Sequence, residues 1–102
     1  MYMEDAIEGT LQLMESPAET LTVRTSYNLG AMSFTPSQVA ESIRVHIPDF
    51  QISYAPDYRQ EIADTWPESI DDARAREDWG WNPGYGLEET TKEMLERLGE
   101  IL

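Results

Sequence analysis

Asp71-Asp72-Ala73-Arg74-Ala75-Arg76-Glu77-Asp78-Trp79-Gly80-Trp81-Asn82-Pro83 sets two tryptophans around a glycine and closes on Asn-Pro. The stretch reads as a short helix, a left-handed stop and a packed turn. Gly80 supplies the positive φ that a helix C-terminus often needs, and Pro83 forbids continuation. Each indole brings a large apolar area and one N–H that must find an acceptor. Upstream, Ser69 with Asp72 three places on predicts a capped start for this helix, which would run through Arg76 or Glu77. Downstream, Gly84-Tyr85-Gly86 is a joint, and Leu87, Thr91, Met94, Leu95, Leu98 and Leu102 share one face of a last helix from about Leu87 to Ile101.

The N-terminal half carries further periodic segments. Met3, Ile7, Leu11 and Met14 recur at helical spacing over residues 4 to 15, and Ser16-Pro17 ends that helix. Leu21, Val23, Tyr27 and Leu29 alternate with polar residues, which predicts a half-buried strand ending at Gly30. Thr35-Pro36-Ser37-Gln38 is a capping box with proline at the first helical position. It opens a helix whose buried stripe would be Val39, Ala40, Ile43 and Ile47, stopped by Pro48. Phe50, Ile52 and Tyr54 alternate as a second strand. Residues 57 to 66 show no clear period and read as a loop with room for one turn of helix. The expected fold is α+β, one domain of about four helical segments and two short strands.

A chain of 102 residues with 40 % hydrophobic and 26 % charged residues is long enough for one modest core. Twenty acids against seven bases give a net charge of −13, which argues against nucleic acid or an anionic membrane as partner. Lys92 is the only lysine. Acid excess with lysine depletion fits either adaptation to high salt or a merely acidic cytosolic protein. With no cysteine, no apolar run of membrane-spanning length and no signal-peptide pattern at the N-terminus, the expected compartment is the cytoplasm.

Chemistry-bearing constellations are scarce. His46, the only histidine, falls at the end of the second helix, where a positive imidazole suits the helix dipole. No metal-ligand spacing accompanies it, and the acidic pairs lack the pattern of a calcium loop. No Gly-x-Gly-x-x-Gly follows a strand, so the phosphate-cradling turn of a dinucleotide site is missing. Tyr-x-x-x-Lys is missing too, since Glu88 stands four residues before Lys92. One segment offers recognition chemistry: Tyr54, Tyr58, Arg59 and Trp66 gather in the irregular stretch, and Arg59 carries a planar fork suited to a carboxylate or phosphate. The plainer alternative is an exposed arginine over packed aromatics.

Met1-Tyr2-Met3-Glu4-Asp5-Ala6-Ile7, Ser26-Tyr27-Asn28-Leu29, Met32-Ser33-Phe34-Thr35-Pro36, Ile62 through Asp72 and Asp78-Trp79-Gly80-Trp81 together resemble the C-terminal region of the extended short-chain dehydrogenase/reductase and epimerase/dehydratase superfamily. The Trp66-Pro67 and Ser69-Ile70-Asp71-Asp72 combination resembles its L-threonine 3-dehydrogenase branch most closely. The resemblance implies a substrate-side lobe over residues 1–102, without the N-terminal Rossmann domain that carries NAD and the catalytic Tyr-x-x-x-Lys. Because Met1 falls inside the resemblance, it implies a truncated gene product or an isolated fragment. The implied parent reaction is oxidation of L-threonine to 2-amino-3-oxobutanoate. Arg59, Trp66 and Tyr2 are the expected substrate-side residues. No catalytic, cofactor-binding or metal-binding residue is expected in the chain itself. The expected partners are the missing domain and, through faces bared by its absence, other copies of the chain. The rival readings are a nucleotide-sugar epimerase or dehydratase lobe and a non-catalytic acidic interaction module.

Overall fold

The computed structural model describes all 102 residues. Five helices follow in order: α1 (Met3–Glu15), α2 (Pro36–His46), α3 (Tyr58–Ala63), α4 (Ala73–Trp79) and α5 (Leu87–Ile101), with one 3-10 turn at Ala18–Thr20. There is no strand, so the α+β expectation is corrected to an all-helical lobe. The physical reason is visible along residues 21 to 29. Leu21, Val23, Tyr27 and Leu29 are half-buried and Thr22, Arg24, Ser26 and Asn28 exposed, so the alternation did report sidedness. A strand also needs a ladder of backbone hydrogen bonds to a neighbour. No backbone bond joins residues 21–29 to residues 50–54. The segment is anchored by side chains instead: the Asp78 carboxylate accepts from Thr22 N–H at 2.9 Å, Thr22 Oγ1 at 2.7 Å and the Tyr27 hydroxyl at 2.5 Å.

Trp81 organises what core there is. Gly80, at φ 75°, ends α4 in the left-handed conformation, and its N–H donates to Arg76 O at 3.0 Å. The chain then turns Trp81 inward to 2 % exposure. Its indole N–H donates to Gly30 O at 2.9 Å. Gly9 of α1 lies flat against the ring. A Cβ there would meet Trp81 Cζ3 at 2.9 Å and Leu29 Cδ1 at 2.7 Å, so only glycine lets the helix approach this closely. Buried Asp5, one turn earlier, accepts from Gly84 and Tyr85 N–H at 2.9 and 3.0 Å and ties the Gly84-Tyr85 joint to α1. Trp79 differs: it meets Tyr27 edge-on, centroids 4.7 Å apart, and its N–H has no acceptor.

α2 and α5 form the one extensive helix pairing. Small side chains set the approach: Ala40 is 1 % exposed, and Ser42 Oγ donates to Thr91 Oγ1 at 2.8 Å across the crossing. The Thr35 and Gln38 capping box forms as the sequence predicts, with both reciprocal bonds present. Ile47, expected in the stripe, becomes the C-cap and is 45 % exposed. α4 starts later than expected, at Ala73, because Asp71 Oδ1 rather than Ser69 takes the first N–H.

The lobe is open. Only 7 of its 102 residues are buried, and its radius of gyration is 17.0 Å. A compact domain of this length would have a radius of gyration of about 13 Å. Its accessible surface of 8124 Å² exceeds by roughly 2,200 Å² what a folded monomer of its mass exposes. Residues 51–71 contribute heavily, since every one of them is exposed.

Candidate functional site

Two concavities meet where residues 30–35 face residues 66–72. The first, about 230 Å³, is lined by Leu29 to Met32 on one side and by Ile70, Asp72 and Arg76 on the other. The second, about 580 Å³, runs between Phe34, Thr35 and Gln38 and the Trp66-Pro67-Glu68 turn. Ser33 lines both.

Asp72, the N-cap of α4, holds the two sides together. It accepts from Gly30 N–H at 3.1 Å and from Arg76 Nε at 2.8 Å. The Arg76 guanidinium, first, holds the Asp72 carboxyl below its ordinary range, and the Gly30 N–H adds to this against the cost of burial. A Cβ on Gly30 would sit 3.1 Å from Asp72 Oδ2 and 3.3 Å from Ile70 O, so glycine lets the loop lie against the carboxylate. Asp72 is therefore spent as a clamp, not free as a base. Arg76 commits only Nε. Its two terminal nitrogens form no hydrogen bond within the chain and remain for a carboxylate or another anion.

The three residues singled out from sequence do not converge. Trp66, 68 % exposed, borders the larger groove. Arg59 lies in α3, and its fork is already closed on the N-cap Asp57, with Nη2 2.6 Å and Nε 3.0 Å from the carboxylate. That pairing raises the Arg59 pKa and lowers that of Asp57. Tyr2 is the N-cap of α1 and stacks on Tyr85 with ring centroids 4.4 Å apart. Neither Arg59 nor Tyr2 lines the Trp66 groove. Beside that stack, a hydrogen bond to the Glu4 carboxylate, followed by burial, raises the Tyr85 pKa. Arg76 and the Gly30 loop escaped the sequence reading. The Asp72-x-x-x-Arg76 spacing was legible as an i,i+4 pair, but nothing local showed that it would meet Gly30.

His46 ends α2 as its position predicts and shares a hollow with Ser42, Glu88, Glu89 and Lys92. No group of three or more His, Cys, Asp or Glu side chains is arranged to hold a metal ion. The residues present do not fit a dinucleotide. α5 is the one helix with a glycine at its N-cap, yet Glu89 already accepts from Gly86 N–H at 3.1 Å, and Glu88 and Glu89 set two acids where a diphosphate would sit. Gly30 lies against the Asp72 carboxylate. This arrangement can bind and shield, but it brings no nucleophile and base together.

Comparison with known proteins shows what this open, all-helical lobe is similar to. No family model matches the chain. It is 51 % identical over 96 residues to the mitochondrial L-threonine 3-dehydrogenase of Sus scrofa, covering 93 % of this chain and 26 % of that protein. It is 46 % identical over 101 residues to an uncharacterized epimerase/dehydratase of Staphylococcus haemolyticus, covering 98 % and 32 %. Among solved structures, the GalE-like L-threonine dehydrogenase of Cupriavidus necator in its apo form superposes with a TM-score of 0.90 at 58 % identity, over 96 % of this chain and 35 % of that one. The L-threonine dehydrogenase of Phytophthora infestans gives 0.93 at 44 %, over 100 % and 33 %. Over nearly its whole length the chain is similar to the C-terminal region of L-threonine 3-dehydrogenase and epimerase/dehydratase proteins. It spans about a quarter to a third of the length of these relatives.

Proposed function

We propose that residues 1–102 are the substrate-side lobe of an L-threonine 3-dehydrogenase-like, NAD-dependent oxidoreductase of cytoplasmic threonine catabolism. The observation that carries this reading is the agreement of nearly the whole chain, in backbone and at 44 to 58 % identity, with one third of two L-threonine dehydrogenases. The parent reaction converts the hydroxyl-bearing carbon of L-threonine to the ketone of 2-amino-3-oxobutanoate. The groups that accept its hydride and its proton belong to the Rossmann domain outside these residues. The lobe's part is to close over the amino acid, exclude water and orient it. Trp66 forms an apolar wall of the groove, Arg76 offers two donors from the adjoining cleft, and Arg59 and Tyr2 face the interdomain space. Arg59 reaches a substrate carboxylate by exchanging Asp57 for it. Alone, the lobe turns nothing over. Freed of its domain, it self-associates once salt screens its charge.

The test is a chimera in which this chain replaces the matching third of the Cupriavidus necator enzyme. It is expected to oxidise L-threonine with kcat/KM within about tenfold of the parent enzyme, since most surface differences are tolerated. The isolated chain is expected to show no turnover. A chimera that folds, binds NAD and ignores L-threonine overturns the proposal.

The similarity to staphylococcal epimerase/dehydratase proteins favours a second reading, a nucleotide-sugar lobe in which an arginine meets a diphosphate. The net charge of −13 and the acids at the N-terminus of α5 oppose that ligand. Supplying the chimera with UDP-sugars in place of L-threonine separates the two.

A further inference from the structure

Arg59 and Arg76 differ in what each must give up to take a ligand. The Arg59 guanidinium is already closed on Asp57 through Nε and Nη2. Arg76 spends Nε alone, on Asp72 Oδ1 at 2.8 Å, and lines the cleft between the Gly30 loop and Ile70 with both terminal nitrogens unpaired. Its side chain is 45 % exposed and that of Asp72 only 12 %, so the carboxylate is shielded while the guanidinium stays within reach. A planar fork with two free edges suits a carboxylate. Ser33 and Ser69 bring one hydroxyl from each side of the same cleft. Acceptors stand beside these donors. Each Asp72 oxygen accepts one hydrogen bond, from Arg76 Nε and from Gly30 N–H, and an ionised carboxylate has room for about four. Ile70 O lies 3.3 Å from where a Gly30 Cβ would be and accepts none of the backbone hydrogen bonds. Leu29 and Met32 add an apolar flank.

This pairing of donors and acceptors discriminates among ligand classes. A bare anion would meet the Asp72 carboxylate with a net charge of −13 behind it, and a bare amine would meet the Arg76 guanidinium. A ligand that carries both charges on one carbon satisfies both partners. The cleft, at about 230 Å³, is smaller than the roughly 300 to 1,000 Å³ of pockets that take drug-sized ligands, which suits a small metabolite and not a nucleotide-sugar. We propose that the Asp72–Arg76 cleft holds the head group of an α-amino acid, its carboxylate on the Arg76 terminal nitrogens and its ammonium on the Asp72 carboxylate and Ile70 O. The proposal rests on the reading of the lobe as the part that closes over L-threonine, and deepens it by assigning the two charged groups of the substrate to named partners. Arg59 takes part only once Asp57 releases it, whereas Arg76 needs no such exchange.

The probes are L-2-aminobutanoate, butanoate and propylamine, which share a carbon chain and carry both charges, the carboxylate alone or the ammonium alone. As competitive inhibitors of L-threonine oxidation by the chimera, L-2-aminobutanoate is expected to bind about tenfold or more tighter than either of the others. In the Arg76→Gln chimera that advantage disappears: inhibition by L-2-aminobutanoate weakens about tenfold while that by propylamine changes less than about twofold, and Arg76→Lys, which keeps the charge without the fork, falls between. Equal inhibition by the three probes, or an Arg76→Gln chimera that keeps the preference, overturns the proposal and leaves the enzymatic reading standing. A loss shared equally by all three probes also overturns it, since that marks a structural role for the Arg76–Asp72 pair. Where the chimera is inactive toward L-threonine, nuclear magnetic resonance of the full 102-residue chain decides. Saturable shifts of the Arg76 Nε–H and Gly30 amide with L-2-aminobutanoate and not with butanoate then keep the site and remove the enzymatic reading alone, and their absence removes both.

Discussion

Residues 51–71 and residues 72–91 adjoin in sequence and are opposites in packing. The first segment carries Tyr54, Tyr58 and Trp66, the second Trp79, Trp81 and Tyr85, so each has three aromatic residues. Yet every residue of the first is exposed, while the second holds Ala75, Trp81 and Thr91 at 8 % exposure or less. The difference lies in what the rest of the chain offers. Trp81 finds a flat glycine on α1, the Leu29 side chain and a carbonyl at Gly30. Trp66 finds only the rim of a groove. Aromatic content alone does not bury a segment; a counterpart shaped to receive it does.

The strongest way to break this contrast is to remove the better-seated ring. Trp81→Ala is expected to cost about 3 to 5 kcal/mol, since it deletes a fully packed indole and leaves Gly30 O without its donor. With so little core elsewhere, loss of cooperative thermal unfolding by near-UV circular dichroism is the expected readout. A cooperative transition within a few degrees of the unaltered chain would show that Trp81 is not the keystone.

Next in size is the surface that receives it. Gly9→Ala places a methyl 2.9 Å from the Trp81 ring and 2.7 Å from Leu29 Cδ1, inside contact distance of both. Helix propensity favours alanine by about 1 kcal/mol, but overpacking costs about 1 to 3 kcal/mol, so net destabilisation is expected. Chemical denaturation that found Gly9→Ala more stable would mean that α1 is free to back away from the tryptophan.

The third effect shows as a pH dependence. The Tyr27 hydroxyl first, then the Thr22 N–H, hold the Asp78 carboxyl below its ordinary value, outweighing a small desolvation cost. A depressed folded-state pKa means that the unfolded chain takes up this proton first as the pH falls. The stabilisation is complete above the unfolded value of about 3.9 and disappears as the pH drops through the folded value. Asp78→Asn should therefore lower stability at pH 7, and the gap to the unaltered chain should close in acid. A gap that stays constant from pH 7 to pH 2.5 would show that the hydrogen bonds, not the charge, anchor residues 21 to 29.

These same residues mark what the sequence could disclose. Gly80, the Thr35-Gln38 box, Pro48 and the span of α5 act within a few residues of themselves, and the structure bears each of them out, although of the α5 stripe Met94 and Leu98 are 48 and 46 % exposed and Leu102 lies past the helix end. The alternation of residues 21 to 29 was legible as sidedness but not as a missing ladder, because the absence of a neighbour is not a local property. α3 was legible only as a possible turn, although Asp57 after Pro56 caps it with a bond to Arg59 N–H at 2.9 Å. At the candidate site, Trp66 was found where the groove is, while Arg76 and Gly30 were missed because 42 residues separate Gly30 from the carboxylate that clamps it. Helical spacing in α1 located the apolar residues, whose face is exposed, while the inward role of Gly9 and Asp5 was not legible from that spacing.

The smallest effect is the sharpest, because it separates the two regions by what they are packed for. Trp66 is 68 % exposed, so Trp66→Ala in the isolated chain should change stability by no more than about 0.5 kcal/mol, against several for Trp81→Ala. In the chimera the same substitution removes an apolar wall of the proposed substrate groove, and KM for L-threonine should rise severalfold with kcat less affected, as for a contact made equally in ground and transition states. If the isolated chain loses as much from Trp66→Ala as from Trp81→Ala, residues 51–71 belong to the core and the division of the lobe fails. If neither stability nor KM moves, the groove is only a surface furrow, and substrate contacts must come from the Arg76 cleft beside it.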